Sequence, residues 1–415
     1  MISKIEIIMQ KTNDVNQKSS KPQENSKILQ FIIYLLFGLG ATTGNVILVL
    51  FGVLSKEFNV NPNAILISIP AFMIPFAIIQ LFSGAISDVK GRFPVIIFGL
   101  ILFGSGLFIA AISSSLLLYV IANILAGTGF GFVNPVLIAL MTDITPPGPK
   151  IPKKMGYLGA VAALGLGLGP LLTGQMVQYS WRYTYIILFL IVGFSLLILL
   201  IIKRPVKKSQ GDSGISVLFS HIYEEIHKLT VILMISASFL TSITYLAIVI
   251  WTSRTFSGVV DESITGIILS CVGIAGAISG LVIGYLIKRL GIGFTLFLGI
   301  FSLLISLILL ITLGDITRPE NLAYVVVFLI IAGIAGGILF PAIMYYSQIF
   351  SPERRGALAG LITAAYFLGI ALLPMIYAPF FLIGGIINVY TAILIVAIVL
   401  FFIIGFLFTL AKRQQ

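Results

Sequence analysis

Between residues 28 and 411 long apolar runs alternate with short polar breaks, and the pattern occurs twelve times. The runs fall at about 28–54, 63–87, 93–113, 115–141, 155–178, 182–202, 229–256, 263–288, 292–313, 322–349, 355–382 and 386–411. Each is long enough to cross a hydrocarbon layer as an α-helix, which takes about 20 residues. None alternates polar and apolar positions over about ten residues, as a membrane barrel strand would. The pattern predicts an all-α membrane protein with 12 transmembrane helices.

The polar stretches divide the chain. Residues 1–27 read as a disordered tail, because the Ile5–Met9 apolar patch is interrupted by Glu6 and is too short for a signal-peptide core. Residues 203–228 form the largest internal gap and read as a linker between six-span units at 28–202 and 229–411. Within the linker, Val217, Leu218, Ile222 and Ile226 space out one apolar face, as in a helix lying on the membrane surface. Residues 412–415 read as a second short tail.

Composition supports this reading and excludes others. The chain is 59% hydrophobic and only 9% charged, whereas a soluble domain carries about 25% charged residues. A net charge of +11 raises the question of nucleic acid, but the basic residues are confined to loops. If the N-terminus is cytoplasmic, only Lys56, Arg182, Arg254 and Arg318 of the 25 Lys and Arg fall outside. That asymmetry predicts a multi-pass protein of the cell membrane with both termini inside. The single cysteine, Cys271, lies in an apolar run, so no intramolecular disulfide is available.

The first dense cluster of charge after the apolar runs begin is Gly84-Ala-Ile-Ser-Asp88-Val-Lys-Gly91-Arg92. Glycine permits a tight reversal and close helix approach. The two halves also repeat. Ala126-Gly127, Gly131 and Pro135 recur as Ala332-Gly333, Gly337 and Pro341, and Gly84 and Gly91 recur as Gly284 and Gly291. Lys153-Lys154-x-Gly156 is echoed by Arg354-Arg355-Gly356.

The pattern at Gly84, Asp88, Gly91 and Arg92, placed between the second and third spans, resembles the corresponding loop of the major facilitator superfamily of membrane transporters. A second stretch, Gly156, Gly165, Gly169-Pro170 and Gly174, resembles the fifth-helix motif of the drug–proton antiporters in that superfamily, with Thr173 in place of one glycine. The resemblance implies two pseudo-symmetric six-helix bundles, cargo bound at the midplane between them, and alternating access. It implies a pairing of Arg92 with Asp143, and Asp88 near the start of the eleventh helix beside Arg354 and Arg355. Together these groups would close the cytoplasmic side. In helix 5 the glycines build a packing groove and Pro170 bends the helix, so that it can rock.

Two departures bear on coupling. Where the related antiporters carry an arginine in helix 4 this chain has Asn123, and where many carry an acid in helix 1 it has Gly40. No Asp, Glu, Lys, Arg or His lies deep inside any span. Proton drive, facilitated diffusion and coupling through a boundary residue such as Asp143 all stay open. The candidate cavity lining is Asn45, Gln80, Asn123, Asn134 and Gln175 in the first half, and Thr241, Tyr245, Tyr346 and Tyr366 in the second. These give a mostly apolar pocket with few polar handles, suited to hydrophobic or amphipathic solutes.

Other motifs fail on spacing. Gly165-Leu-Gly167-Leu-Gly169 is not a nucleotide fingerprint. His221 and His227, with Glu224 and Glu225 between them, are not spaced as metal ligands on one helix face. No catalytic cluster is visible, and no cofactor or metal is expected. The expectation is a monomeric secondary transporter for efflux of small hydrophobic compounds. The alternatives are an importer or uniporter of a metabolite, and a non-transporting receptor or enzyme.

Overall fold

The computed structural model describes residues 20–145, 150–202, 224–350 and 355–413. The chain is all-helical among the described residues. Its long helices are α1 Ser20–Val46, α2 Ser68–Lys90, α3 Arg92–Ile112, α4 Leu116–Ile144, α5 Lys150–Val177, α6 Arg182–Ile201 and α7 Leu229–Phe256. Then come Glu262–Leu313, Leu322–Phe350 (α10) and Arg355–Arg413.

Two of these are each too long for one crossing, and glycine divides both. Gly291 has φ +79, which splits the first into α8 (262–290) and α9 (292–313). Gly385 has φ +64, next to a non-helical Gly384, which splits the second into α11 (355–383) and α12 (386–413). The chain reverses at both points. α10 runs beside both arms of the first: Gly337 packs on Gly276 and Leu339 on Gly299. On α7, Trp251 packs on Phe381 while its neighbour Thr252 bonds Tyr390. Twelve crossings result, in two bundles.

The starts of several helices follow from their sequence. Asn61 caps a short helix, Pro62–Ile65, accepting from the Asn63 amide at 2.8 Å. Asp261 caps α8 by accepting from the Ser263 and Ile264 amides. Such caps satisfy backbone donors that the helix itself leaves open.

The repeat is visible in the packing. α2 runs parallel to α4 with Gly127 against the Phe72 carbonyl and Gly131 against that of Phe76. In the second bundle Gly333 meets the Val272 carbonyl and Gly337 that of Gly276, in the same register. Gly99 nests against Phe132 and Val133, and Gly299 nests against Ile338 and Leu339. Gly91, with φ 91 and ψ 150, has its counterpart in Gly291, with φ 79 and ψ 159.

The boundaries differ from expectation at three places. α1 already begins at Ser20, inside the stretch read as a tail, and α12 runs on to Arg413. The first span is also not one helix. It passes through a 3-10 turn at Ile47–Val49 into a separate helix, Phe51–Phe58. At that break the Leu48 carbonyl accepts from the Ser253 hydroxyl. Val217, Leu218 and Ile222 of the amphipathic linker stretch and Arg354 lie outside the described residues, as does the side chain of Arg355; Ile226 is described and exposed.

Candidate functional site

The described chain ends, Ser20 and Arg413, lie on one side of the bundles, here the termini side; the other is the far side. At the termini side, the last turn of α2 and the first of α3 meet at Gly91. Arg92 is the hub. Its guanidinium holds Asp88 at 2.6 Å and Asp143 at 3.2 Å, and donates to the Ser87 hydroxyl at 2.6 Å. The expected pairing of Arg92 with Asp143 is present. Asp88 also binds Arg92, four residues on across the Gly91 turn, while its expected place beside Arg354 and Arg355 involves side chains outside the described residues. Gly84 does not bring two backbones together, because a Cβ built there would meet nothing within 4 Å. The second bundle repeats the turn but not the charges: Lys288, Ile292 and Ile349 stand where Asp88, Arg92 and Asp143 do.

The midplane and far side are where the bundles meet. α5 shows two glycine faces. Gly165 and Gly169 face α1, where a Cβ on Gly165 would lie 2.5 Å from the Gly38 carbonyl oxygen and one on Gly169 would strike that of Thr42. Gly167 and Gly174 face α8. Gly167 lies against Gly273, and a Cβ on Gly174 would lie 2.7 Å from the Glu262 carbonyl oxygen and 3.1 Å from Gly266. Residues two apart on a helix point to opposite sides and residues seven apart to the same side. That geometry sorts these glycines, and Gly266 and Gly273 mirror it on α8.

Toward the termini side the seam opens. A Cβ on Gly156 or Gly159 of α5, or on Gly284 of α8, would meet nothing within 4 Å among the described residues. The far side is tied instead. Gln175 donates to the Ser263 hydroxyl at 2.6 Å, Arg254 Nε donates to Asn63 Oδ1 at 2.9 Å, and Ser253 reaches the Leu48 carbonyl. Each of these bonds joins one bundle to the other.

At the centre, Phe76 of α2 meets Phe367 of α11 edge-on at 4.5 Å, and Tyr366 stacks on Phe340 at 4.2 Å. This aromatic contact fills much of the midline. A small gap remains beside this contact. It is bounded by Asn45 and Leu48 of α1, Leu166 of α5, Tyr245 and Val249 of α7, and Val272 of α8.

Of the expected lining residues, Asn45 and Tyr245 come together at this gap. Asn45 spends its amide N–H on the Ala41 carbonyl at 2.8 Å, which leaves its oxygen free to accept. The others are dispersed. Gln175 is a far-side tie. The Thr241 hydroxyl bonds Ala237 and the Asn123 amide bonds Tyr119, each on its own helix. Gln80 and Tyr346 are buried, and the Gln80 amide nitrogen and the Tyr346 hydroxyl have no partner among the described residues. Asn134 is half-buried.

Two packing pairs explain the absence of a helix 1 acid. The ring of Phe130 occupies the space where a Cβ on Gly40 would be. In the second bundle the roles are exchanged, and the Tyr245 ring sits over Gly336 of α10. Sequence reasoning missed Ser263, Asn63, Arg254 and Ser253. It also missed the facing of Gly167, for which the seven-residue interval to Gly174 was a usable signal.

The family model of the Major Facilitator Superfamily matches residues 30–374 and 234–415. The Quinolone resistance protein NorA of Staphylococcus aureus (strain Mu50 / ATCC 700699) is 29% identical over 159 residues, 38% of this chain and 39% of that protein. The match thus spans about two fifths of that relative. The Uncharacterized MFS-type transporter YceJ of Bacillus subtilis (strain 168) is 26% identical over 325 residues, 76% of this chain and 80% of that protein. Among solved structures, the nucleoside transporter NupG (D323A mutant) superposes with TM-score 0.76 at 14% identity, covering 92% of this chain and 100% of NupG. A bacterial homolog to human lysosomal transporter Spinster, inward-facing and unoccupied, gives TM-score 0.70 at 16% identity, covering 94% and 97%. Both are likenesses of fold.

Proposed function

The chain belongs to the major facilitator superfamily and is a multi-pass membrane transporter, and from this we propose that it exports small hydrophobic or amphipathic compounds by alternating access. The termini side is the cytoplasmic side of the cell membrane in this reading, in line with the distribution of Lys and Arg. The observation that carries it is the asymmetry of the α5–α8 seam. Bare backbone meets at Gly167–Gly273 and Gly174–Gly266, while a Cβ on Gly156, Gly159 or Gly284 would meet nothing within 4 Å among the described residues. Rocking the bundles about this seam would open the far side and shut the other.

Arg92, Asp88 and Asp143 act in this proposal as the cytoplasmic brace of the first bundle. A part-exposed ion pair contributes only about 0–1 kcal/mol, which suits a contact that re-forms every cycle. Asn45 and Tyr245 would orient cargo, and the aromatic midline would hold its apolar body. With no ionisable group at that depth in the sequence, the cargo itself need not exchange for a proton there. The name of the Staphylococcus aureus relative supports movement of a foreign compound over uptake of a nutrient.

The test is direction of transport. Everted membrane vesicles carrying the protein should accumulate a lipophilic dye against control vesicles. Whole cells that instead gain a labelled metabolite, with no dye movement, would establish import and overturn export.

A further inference from the structure

We infer that Arg254, at the far-side mouth, determines specificity by barring lipophilic cations and receiving a hydrogen-bond-accepting or anionic group of the cargo. This rests on the export reading above. Arg254 is half-buried near the end of α7. Its one described hydrogen bond runs to the Asn63 side chain at 2.9 Å, and its guanidinium lies 5.4 Å from the Phe381 ring centre. No carboxylate lies within ion-pair distance among the described residues. The other far-side arginines are paired: Arg182 with Glu57 and Arg318 with Asp315.

One turn earlier, Trp251 packs on the same Phe381 ring at 4.9 Å, fully buried, and its indole N–H has no partner among the described residues. Two residues around one ring thus carry donors without a described acceptor, Arg254 half-buried and Trp251 fully buried behind it. Guanidinium N–H groups bond most strongly to ionised acceptors. When the far side opens, Asn63 on the first bundle separates from Arg254 on the second, and the guanidinium loses that amide as well. A passing carbonyl or anion would replace it, whereas a passing ammonium would be repelled. The midplane strengthens the discrimination. Asn45 and Tyr245 are neutral, and Gly40 is sealed by Phe130, so no acid there can compensate a desolvated cation.

The test uses three compounds on one naphthalene core, bearing a trimethylammonium, a sulfonate or an acetyl group. The purified full chain is placed in phosphatidylcholine proteoliposomes with the membrane potential clamped. Flux is followed for the two charged compounds, and the acetyl compound is used as competitor. The inference expects sulfonate flux that the acetyl compound inhibits, trimethylammonium flux slower by about tenfold, and an Arg254→Gln chain in which sulfonate flux falls about tenfold. Trimethylammonium carried as fast as sulfonate overturns it. So does unchanged sulfonate flux in Arg254→Gln, or an acetyl compound that binds while no sulfonate moves. If none of the three binds or moves, the export reading falls and this inference with it. Should Arg254→Gln fail to fold, the series on the unaltered chain decides.

Discussion

Gly167 of α5 and Gly273 of α8 meet backbone to backbone across the boundary between the bundles, with no side chain between them. A Gly273→Leu chain could not seat α8 against α5, so the far side would stay ajar. In a Cys271→Ser background, a cysteine at Ser263 should react faster with a membrane-impermeant thiol reagent, and transport should fall by about tenfold or more. Unchanged labelling would show that the seam is not where the bundles close.

Gly40 and Phe130 share one volume. Gly40→Ala should destabilise by about 1–3 kcal/mol through overpacking. A smaller residue at position 130 should relieve it, so Gly40→Ala with Phe130→Leu should melt above Gly40→Ala alone. Such coupling between touching residues amounts to about 0.5–3 kcal/mol. Melting temperatures that simply add would refute the shared volume.

Arg92 serves Asp88, Asp143 and Ser87 at once. A lysine cannot reproduce that planar fork. Arg92→Lys and Asp143→Asn should each shift stability by only about 0–1 kcal/mol but slow turnover severalfold. A variant with full turnover would reduce these charges to setters of topology.

Tyr245→Phe keeps the ring over Gly336 and removes only the hydroxyl at the central gap. Its melting temperature should match the parent. Cargo affinity should drop by the equivalent of one hydrogen bond, about 0.5–1.5 kcal/mol, measured by titration of ligand-induced thermal stabilisation.

Asp315 ties the α9–α10 loop. The Thr317 hydroxyl, then the Thr317 amide, then Arg318 hold its carboxyl below the ordinary carboxylate value. A depressed folded value adds stability that is present above the ordinary value and lost as pH falls through the depressed one. The melting difference between the parent and Asp315→Asn should therefore be constant near neutral pH and close in acid.

The crossings were legible because hydrocarbon imposes a length on each helix, and even the divisions at Gly291 and Gly385 fell between expected spans. The Arg92–Asp143 pair was legible because a family pattern names both partners. The Asp88–Arg92 pair was not, although the two stand only four residues apart. Nor were Gln175–Ser263 and Arg254–Asn63. Polar residues at helix ends carry no periodicity, and their partners lie in the other bundle. The break at Ile47–Val49 escaped notice because an unbroken apolar run reads the same whether its helix is continuous or tightened.

That break sets a condition on the cycle. The Leu48 carbonyl in the 3-10 turn is bonded by Ser253 across the closed far side, and the Glu262 carbonyl lies under Gly174 in the same seam. Parting the bundles strips such groups of cover, and a buried carbonyl without a donor costs about 1–3 kcal/mol. Solvent must therefore flood the cleft as it parts. Wetting of the backbone is then a step in every turnover, and excluded osmolytes, which penalise that hydration, should slow it.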